Sequence, residues 1–339
     1  MLEPGKTIER ELASGERHVY QLTLAAGEFA RIVVEQHGID VVVLLLTENG
    51  EQVAERIMPG RYGRVYLSAI AQAPASYRIE ARGSTTAATA GRYEIKMIER
   101  RLAAEQDQDR IAAEQAATEG LRLAPKRDAE SSRQAREKFE MALASWQKLG
   151  DRYGQGVALY GLAETWQQQY QFQKAFECYD LAIAHFRAAG AQREAAMMQN
   201  LAGRALVAVG AIQRGIDYFL ETRQFWLATN DRSGEAEALY SLGFAYGRLH
   251  DYQKALAYYE QALPLHRALG NRRQEAQTLN NIGTIHAQQN DHRKAISYFQ
   301  QAYEIWQAQK NTLSVINALT NLGVAYAGLN EYPKAIEYY

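Results

Sequence analysis

A chain of 339 residues is long enough for two or three domains, each with its own core. It is 47% hydrophobic and 23% charged with a net charge of −1, and its first hundred residues and its remainder are each close to charge balance, so no basic face is built for nucleic acid or an anionic membrane. The longest aliphatic run, Val41 to Leu46, is far too short to span a bilayer. The single cysteine, Cys178, has no partner for an intramolecular disulfide or a thiolate zinc cluster.

Residues 1–20 carry charges throughout and lack the apolar stretch of a secretory signal. The expected location is therefore cytoplasmic, with export the alternative if a signal peptide precedes Met1. Alternation of apolar and polar residues then dominates to about residue 98: His18 to Leu24, Phe29 to Glu35, Val65 to Ile70, Tyr77 to Ala81 and Tyr93 to Met97. A period of two predicts strands with one buried face. Turn pairs separate them at Ser14-Gly15, Ala26-Gly27, His37-Gly38, Asn49-Gly50, Pro59-Gly60 and Ala90-Gly91. About eight short strands so spaced predict an all-β sandwich or jelly roll over residues 1–98. Asn49-Gly50 is the strongest hairpin signal, because a two-residue turn there wants positive φ at both positions.

From Glu99 the composition turns to Ala, Gln, Glu and Arg. Residues 99–111 read as a solvated connector helix, 112–150 as a capping helix hairpin broken at Pro125, and 151–339 as a repeat array. Offsetting the chain by 40 residues aligns Phe139, Tyr179, Phe219, Tyr259, Phe299 and Tyr339 in one column. Ala135, Ala175, Gly215, Ala255, Ala295 and Ala335 align in a second, preceded from Lys174 onward by Lys174, Arg214, Lys254, Lys294 and Lys334. Ala163, Gly203, Gly243, Gly283 and Gly323 form a small column on the other helix, followed by Trp166, Leu206, Tyr246, His286 and Tyr326. Glycine inside a helix costs about 0.5–1 kcal/mol relative to alanine, so its recurrence implies close approach, read here as a neighbouring backbone. One such hairpin cannot bury its own apolar face, and stacking several makes a continuous core. The units predicted are 151–190, 191–230, 231–270, 271–310 and 311–339, the last incomplete in its second helix.

The spacing of Leu239, Leu242, Gly243, Tyr246, Ala255, Tyr259 and Ala262 resembles the tetratricopeptide signature, stretched from the family's usual 34 residues to 40, as in kinesin light chains and their relatives. That resemblance implies a right-handed superhelical solenoid of helix hairpins. The strand-rich head, with Val34-Glu-Gln-His-Gly-Ile-Asp40-Val and Gly91-Arg-Tyr-Glu-Ile95, is similar to the pre-peptidase C-terminal β-sandwich of bacterial secreted proteases. Head, helical stretch from Asp107 to Glu119 and 40-residue repeats together resemble bacterial proteins in which such arrays precede a CHAT domain, a caspase-like cysteine peptidase. The expectation is a fragment whose effector domain lies beyond Tyr339.

No catalytic constellation is expected in these residues. The histidines His18, His37, His185, His250, His266, His286 and His292 form no metal-ligand spacing, and His266 and His286 occupy columns held elsewhere by aromatic residues. Gly154-Gln-Gly156 lacks the strand and the Lys-Ser/Thr of a phosphate loop. Cys178 reads as a packing residue. Asp40 reads as a turn cap rather than a calcium ligand. Tyr62 and Tyr66 read as exposed aromatics that alternation accounts for more simply than a glycan site. No cofactor and no metal are expected.

In the resembling family the first helix of each repeat lines a concave groove. Mapped here, those positions are Tyr160, Glu164, Asn200, Arg204, Tyr240, Phe244, Arg248, Asn280, Asn281, Thr284 and Asn321. Amides offer donor and acceptor to an extended peptide, and aromatics offer anchoring area. The function expected is a scaffold that binds a peptide or helix of a partner protein, or of an effector domain in its own chain. Two alternatives are a regulatory region of a CHAT-type peptidase and a cell-surface or carbohydrate-binding sandwich on a helical stalk. Asn281 and Asn321 also admit a purely structural reading, as bonds between adjacent helices.

Overall fold

The computed structural model describes residues 2–58, 62–84 and 90–339. The Pro59-Gly60 turn and the side chain of Tyr62 lie outside these. The alternating stretches fold as β1 (Thr7–Leu12), β2 (Arg17–Leu24), β3 (Glu28–His37), β4 (Val41–Thr47), β5 (Gln52–Arg56), β6 (Tyr62–Ile70), β7 (Ala75–Gly83) and β8 (Gly91–Leu102). They form two four-stranded antiparallel sheets, in the orders β1-β8-β3-β6 and β2-β7-β4-β5. Alternation places Phe29, Ile32, Val34, Val65, Leu67, Ile79, Tyr93 and Ile95 in the core. The unbroken apolar run of β4 is different, since Leu44 and Leu46 are buried as well as Val43 and Leu45, as expected of a strand covered on both faces.

Two expectations about turns and boundaries are corrected. At Asn49-Gly50 only Gly50 has positive φ, +89°. The loop is longer than a two-residue turn, closed by Thr47 N–H to Glu51 O (2.8 Å) and Gly50 N–H to Thr47 O (3.0 Å), and β4 and β5 slip register beside it. Residues 99–111 are not one solvated helix. Strand β8 runs on to Leu102, where Arg100 meets Glu28 and Arg101 lies 4.6 Å over the Phe29 ring. The helix α1 begins at Glu105, runs to Leu123 and buries Asp107 and Glu114. Polar composition hid this, because Glu114 is paired with arginines far away in sequence and Asp107 with Arg101 across the break between strand and helix.

After α1 and a single 3-10 turn at Ala124–Lys126 containing Pro125, the chain forms α2 (Ala129–Lys148), α3 (Arg152–Gln168), α4 (Phe172–Ala188), α5 (Gln192–Ala208), α6 (Ile212–Ala228), α7 (Arg232–Arg248), α8 (Tyr252–Ala268), α9 (Arg272–Gln288), α10 (His292–Ala308), α11 (Thr312–Gly328) and α12 (Tyr332–Tyr338). Each helix from α3 to α11 has 17 residues. A left-handed residue terminates the helix every 20 positions, at Gly150, Tyr170, Gly190, Gly210, Asn230, His250, Gly270, Asn290, Lys310 and Asn330. That conformation turns the chain and satisfies the last carbonyls of the helix. Asp151, Asp231, Asp251, Asp291 and Asn311 then cap the next helix by accepting from its first backbone N–H groups. The 40-residue repeat is two such pulses.

The glycine column has another cause than a neighbouring backbone. A Cβ on Gly203, Gly243 or Gly283 would meet the ring of Phe219, Tyr259 or Phe299 at 2.6–2.7 Å. The aromatic column of the second helix packs against the first, and glycine makes the space. The basic column also finds a partner. Lys174 Nζ sits 4.4 Å from the Trp166 ring centre, Lys254 5.0 Å from Tyr246 and Lys334 5.2 Å from Tyr326. Tyr246 stacks on Tyr258, His286 on Tyr298 and Tyr326 on Tyr338.

The chain divides into two compact units, Met1–Gln199 and Asn200–Tyr339. Within the first, the helices are fastened to the sandwich by buried charge. Glu114 of α1 accepts the Ser68 N–H (2.9 Å) and Oγ–H (2.7 Å) and pairs with Arg56 (3.4 Å) and Arg31 (3.9 Å). Asp151 Oδ2 takes Arg31 at 3.0 Å and Arg110 at 2.8 Å while its other oxygen caps α3. The Tyr153 hydroxyl accepts the Arg64 N–H (2.8 Å) and donates to Glu194 (3.1 Å). Tyr66 is not an exposed aromatic. It packs edge-on against Tyr153, with Arg31 4.4 Å over its ring.

Candidate functional site

In the unit Asn200–Tyr339, the predicted groove residues stand on one face of α5, α7, α9 and α11, because they occupy positions nine, ten, thirteen and seventeen of successive 17-residue helices, which share that face. Arg204 and Arg248 are exposed; Tyr240, Phe244, Asn280, Asn281, Thr284 and Asn321 are half-buried; Asn200 is buried, with no hydrogen-bond partner on its Oδ1. Asn281 Nδ2 donates to the hydroxyls of Tyr240 (3.2 Å) and Tyr259 (3.1 Å). Asn321 Nδ2 donates to Asn280 Oδ1 (2.9 Å), and Thr284 Oγ1 to the Asn280 carbonyl (3.0 Å).

The amide chemistry follows from these bonds. With both hydrogens of Asn281 committed to tyrosines, its Oδ1 is left to accept. Asn280 is left with its Nδ2 donor, and Asn321 with its Oδ1 acceptor. The row therefore offers acceptor, donor, acceptor. Part of each amide is structural and part is unspent.

Tyr240 is held from behind. Its ring lies 5.7 Å from that of Tyr259 and 6.4 Å, edge-on, from that of His266. Burial raises the Tyr240 hydroxyl above its ordinary range, opposed by the Asn281 bond and the nearby Arg204 charge, so it stays protonated. His266 is fully buried and neither ring nitrogen has a hydrogen-bond partner. Burial pushes its pKa down to about 4, with the Glu275 carboxylate opposing. Sequence reasoning placed Tyr259 and His266 in core columns and so missed that they back the Tyr240 ring. A signal was present. The aromatic column alternates Phe and Tyr, and a buried phenol needs a polar partner that Phe does not.

Tyr160 and Glu164 belong to the first unit. They line a recess of about 470 Å³ with Leu121, Pro125, Arg127 and Gln168. Glu164 accepts a short hydrogen bond from the Tyr179 hydroxyl, which also lies 3.2 Å from Gln167. Cys178 is half-buried beside the Phe139 cluster, its thiol pushed up to about 11 by burial, so it is a poor nucleophile. Among the described residues, no cluster of His, Cys, Asp or Glu could hold a metal ion, and no helix is long and apolar enough to cross a membrane.

Residues 194–268 and 274–339 match the tetratricopeptide repeat family. No curated protein sequence matches the chain. Among solved structures, the tetratricopeptide-sensor STAND ATPase of Pyrococcus horikoshii is similar at TM-score 0.59 and 15% identity, over 70% of this chain and 36% of that one. Aspartyl phosphate phosphatase F of Bacillus subtilis aligns at TM-score 0.52 and 13% identity, over 69% and 70%. NprR in complex with its cognate peptide NprX aligns at TM-score 0.50 and 14% identity, over 70% and 67%. At such identities the likeness is one of fold, and the fold is a β-sheet head followed by a tetratricopeptide-like helical repeat.

Proposed function

We propose that the chain is a protein-interaction scaffold whose repeat groove holds an extended peptide of a partner protein. The observation that carries this reading is the unspent row of Asn281 Oδ1, Asn280 Nδ2 and Asn321 Oδ1. Acceptor, donor, acceptor complements the donor, acceptor, donor sequence of an extended main chain, so affinity comes without a demand on sequence. Tyr240 and Phe244 supply anchoring area, and Arg204 and Arg248 favour an acidic residue nearby. A neighbour of the same fold, NprR, is known in complex with a peptide. The succession of Asn200, Tyr240 and Asn280 at 40-residue spacing supports a groove built for contacts of two kinds. The succession of a strand-rich head and 40-residue repeats supports the narrower reading that the scaffold serves a CHAT-type peptidase domain.

The test uses peptides selected by display on the whole chain. Asn280→Ala with Asn321→Ala is expected to weaken the selected peptides by about tenfold or more, at about 1 kcal/mol per lost hydrogen bond, with helical circular dichroism unchanged. Unaltered binding would sink the proposal. Loss of helix content would assign these amides to the array alone.

A further inference from the structure

The two sheets of the head end side by side, one at β6 and the other at β5, and the two edges are treated differently. Along β6 the outward N–H groups of Arg64 and Ser68 are taken by the Tyr153 hydroxyl at 2.8 Å and the Glu114 carboxylate at 2.9 Å. Helix side chains thus stand in for a neighbouring strand. Strand β5 pairs with β4 on one side only. Along it, among the described residues, a side chain meets only the Glu55 carbonyl, from Arg56 Nη1 at 2.8 Å. An edge whose backbone groups are left unpaired is a template for another strand.

That edge opens on a cleft of about 610 Å³, within the size range of ligand sites. Its far wall is the polar face of α1, presenting Gln108, Ala112 and Gln115, and Gln52 and Gln72 line it from the head. The charged residues of the lining are already paired: Glu55 with Arg122, Arg56 with Glu114, and Glu119 with Lys138. The lining therefore carries no net charge, and a charge brought into it would have to compete with these pairs. What complements it is a main chain, with hydrogen bonds to a strand edge on one side and to glutamine amides on the other.

We propose that the cleft between β5 and α1 binds an extended, uncharged polypeptide segment of a partner protein, which adds to the sheet beside β5. This site is separate from the repeat groove and independent of it. Recognition runs through the backbone, with small or uncharged side chains admitted opposite Ala112.

The experiment is a display selection of random peptides of about ten residues, a length that covers a short strand, on the whole chain. Each enriched peptide is re-measured against Ala112→Trp and Gln115→Lys. Both positions are exposed on α1, and unchanged thermal melts confirm folding. Expected are uncharged, β-forming peptides that lose about tenfold or more in affinity to each variant and keep it in Tyr240→Ala. N-methylation of alternate peptide residues should weaken binding by about five- to tenfold in one alternation and little in the other, since an added strand bonds through every second N–H. Overturning results are no enrichment, affinity lost in Tyr240→Ala but not Ala112→Trp, or indifference to N-methylation. A panel of oligosaccharides that binds and is blocked by Ala112→Trp, in place of any peptide, would also overturn it.

Discussion

The two units of this chain reach stability by different chemistry. In Met1–Gln199 the contacts that matter join residues far apart in sequence, and many are ionic: Arg31 with Asp151, Arg56 and Ser68 with Glu114, Tyr153 with Arg64. In Asn200–Tyr339 the main packing contact recurs at a fixed offset and is apolar, a ring against a glycine or an alanine between helices. A buried ion pair is specific but brittle, because removing one partner strands the other without solvent. A repeated apolar contact is individually replaceable, because its neighbours remain.

Three measurements bear on this contrast. The largest effect is expected from Glu114→Ala, which leaves Arg56 and the Ser68 N–H without their acceptor at side chains only about 5% exposed. A loss of about 3–5 kcal/mol is expected, read by denaturant unfolding, with hydrogen exchange rising along β6 first. Glu114→Gln should recover part of it. A loss below 1 kcal/mol would mean that the ionic fastening is incidental.

The second effect belongs to the repeats. His266 is protonated near pH 6.5 when unfolded and only near 4 when folded. The unfolded chain therefore binds the proton more tightly between these values. The stability from keeping this ring neutral is complete above pH 6.5 and is lost progressively as the pH falls toward 4, by up to about 3 kcal/mol. In His266→Phe the slope of stability against pH over that window should flatten relative to the parent. Parallel slopes would show that the ring reaches water.

The smallest effect should be equal in both units. Tyr170 and His250 hold φ of +60° at helix ends where, Lys310 apart, glycine or asparagine stands elsewhere. Tyr170→Gly and His250→Gly should each raise stability by about 0.5–1 kcal/mol, visible as small upward shifts in melting temperature. Opposite signs in the two units would mean that one of these side chains makes a contact worth more than its backbone strain.

The legibility of each part follows from the range of its contacts. Helix ends were readable because Gly150, Asn230 and Gly270, with Asp151 and Asp231 beside two of them, are local devices. Strands were readable because alternation reports one buried face. The start of α1 was misread because Asp107 and Glu114 look solvent-facing until Arg101, Arg56 and Ser68 are brought to them. The helix face shared by Asn280, Asn281 and Asn321 followed from register, but the division of labour within each amide did not, since it depends on which hydroxyl lies within 3.2 Å of Asn281.

By itself the amino-acid order determined the two periods, two and 40, and with them a strand-rich head and a helical array, because backbone preference and apolar pattern act over a few residues at a time. Tertiary structure alone decided that rings rather than backbones demand the glycines, that one sheet edge is closed by Glu114 and Tyr153 while the other stays open, and that charge welds the head to its first helices. Those outcomes depend on which groups meet after folding, where the removal of water makes each unpaired polar atom costly.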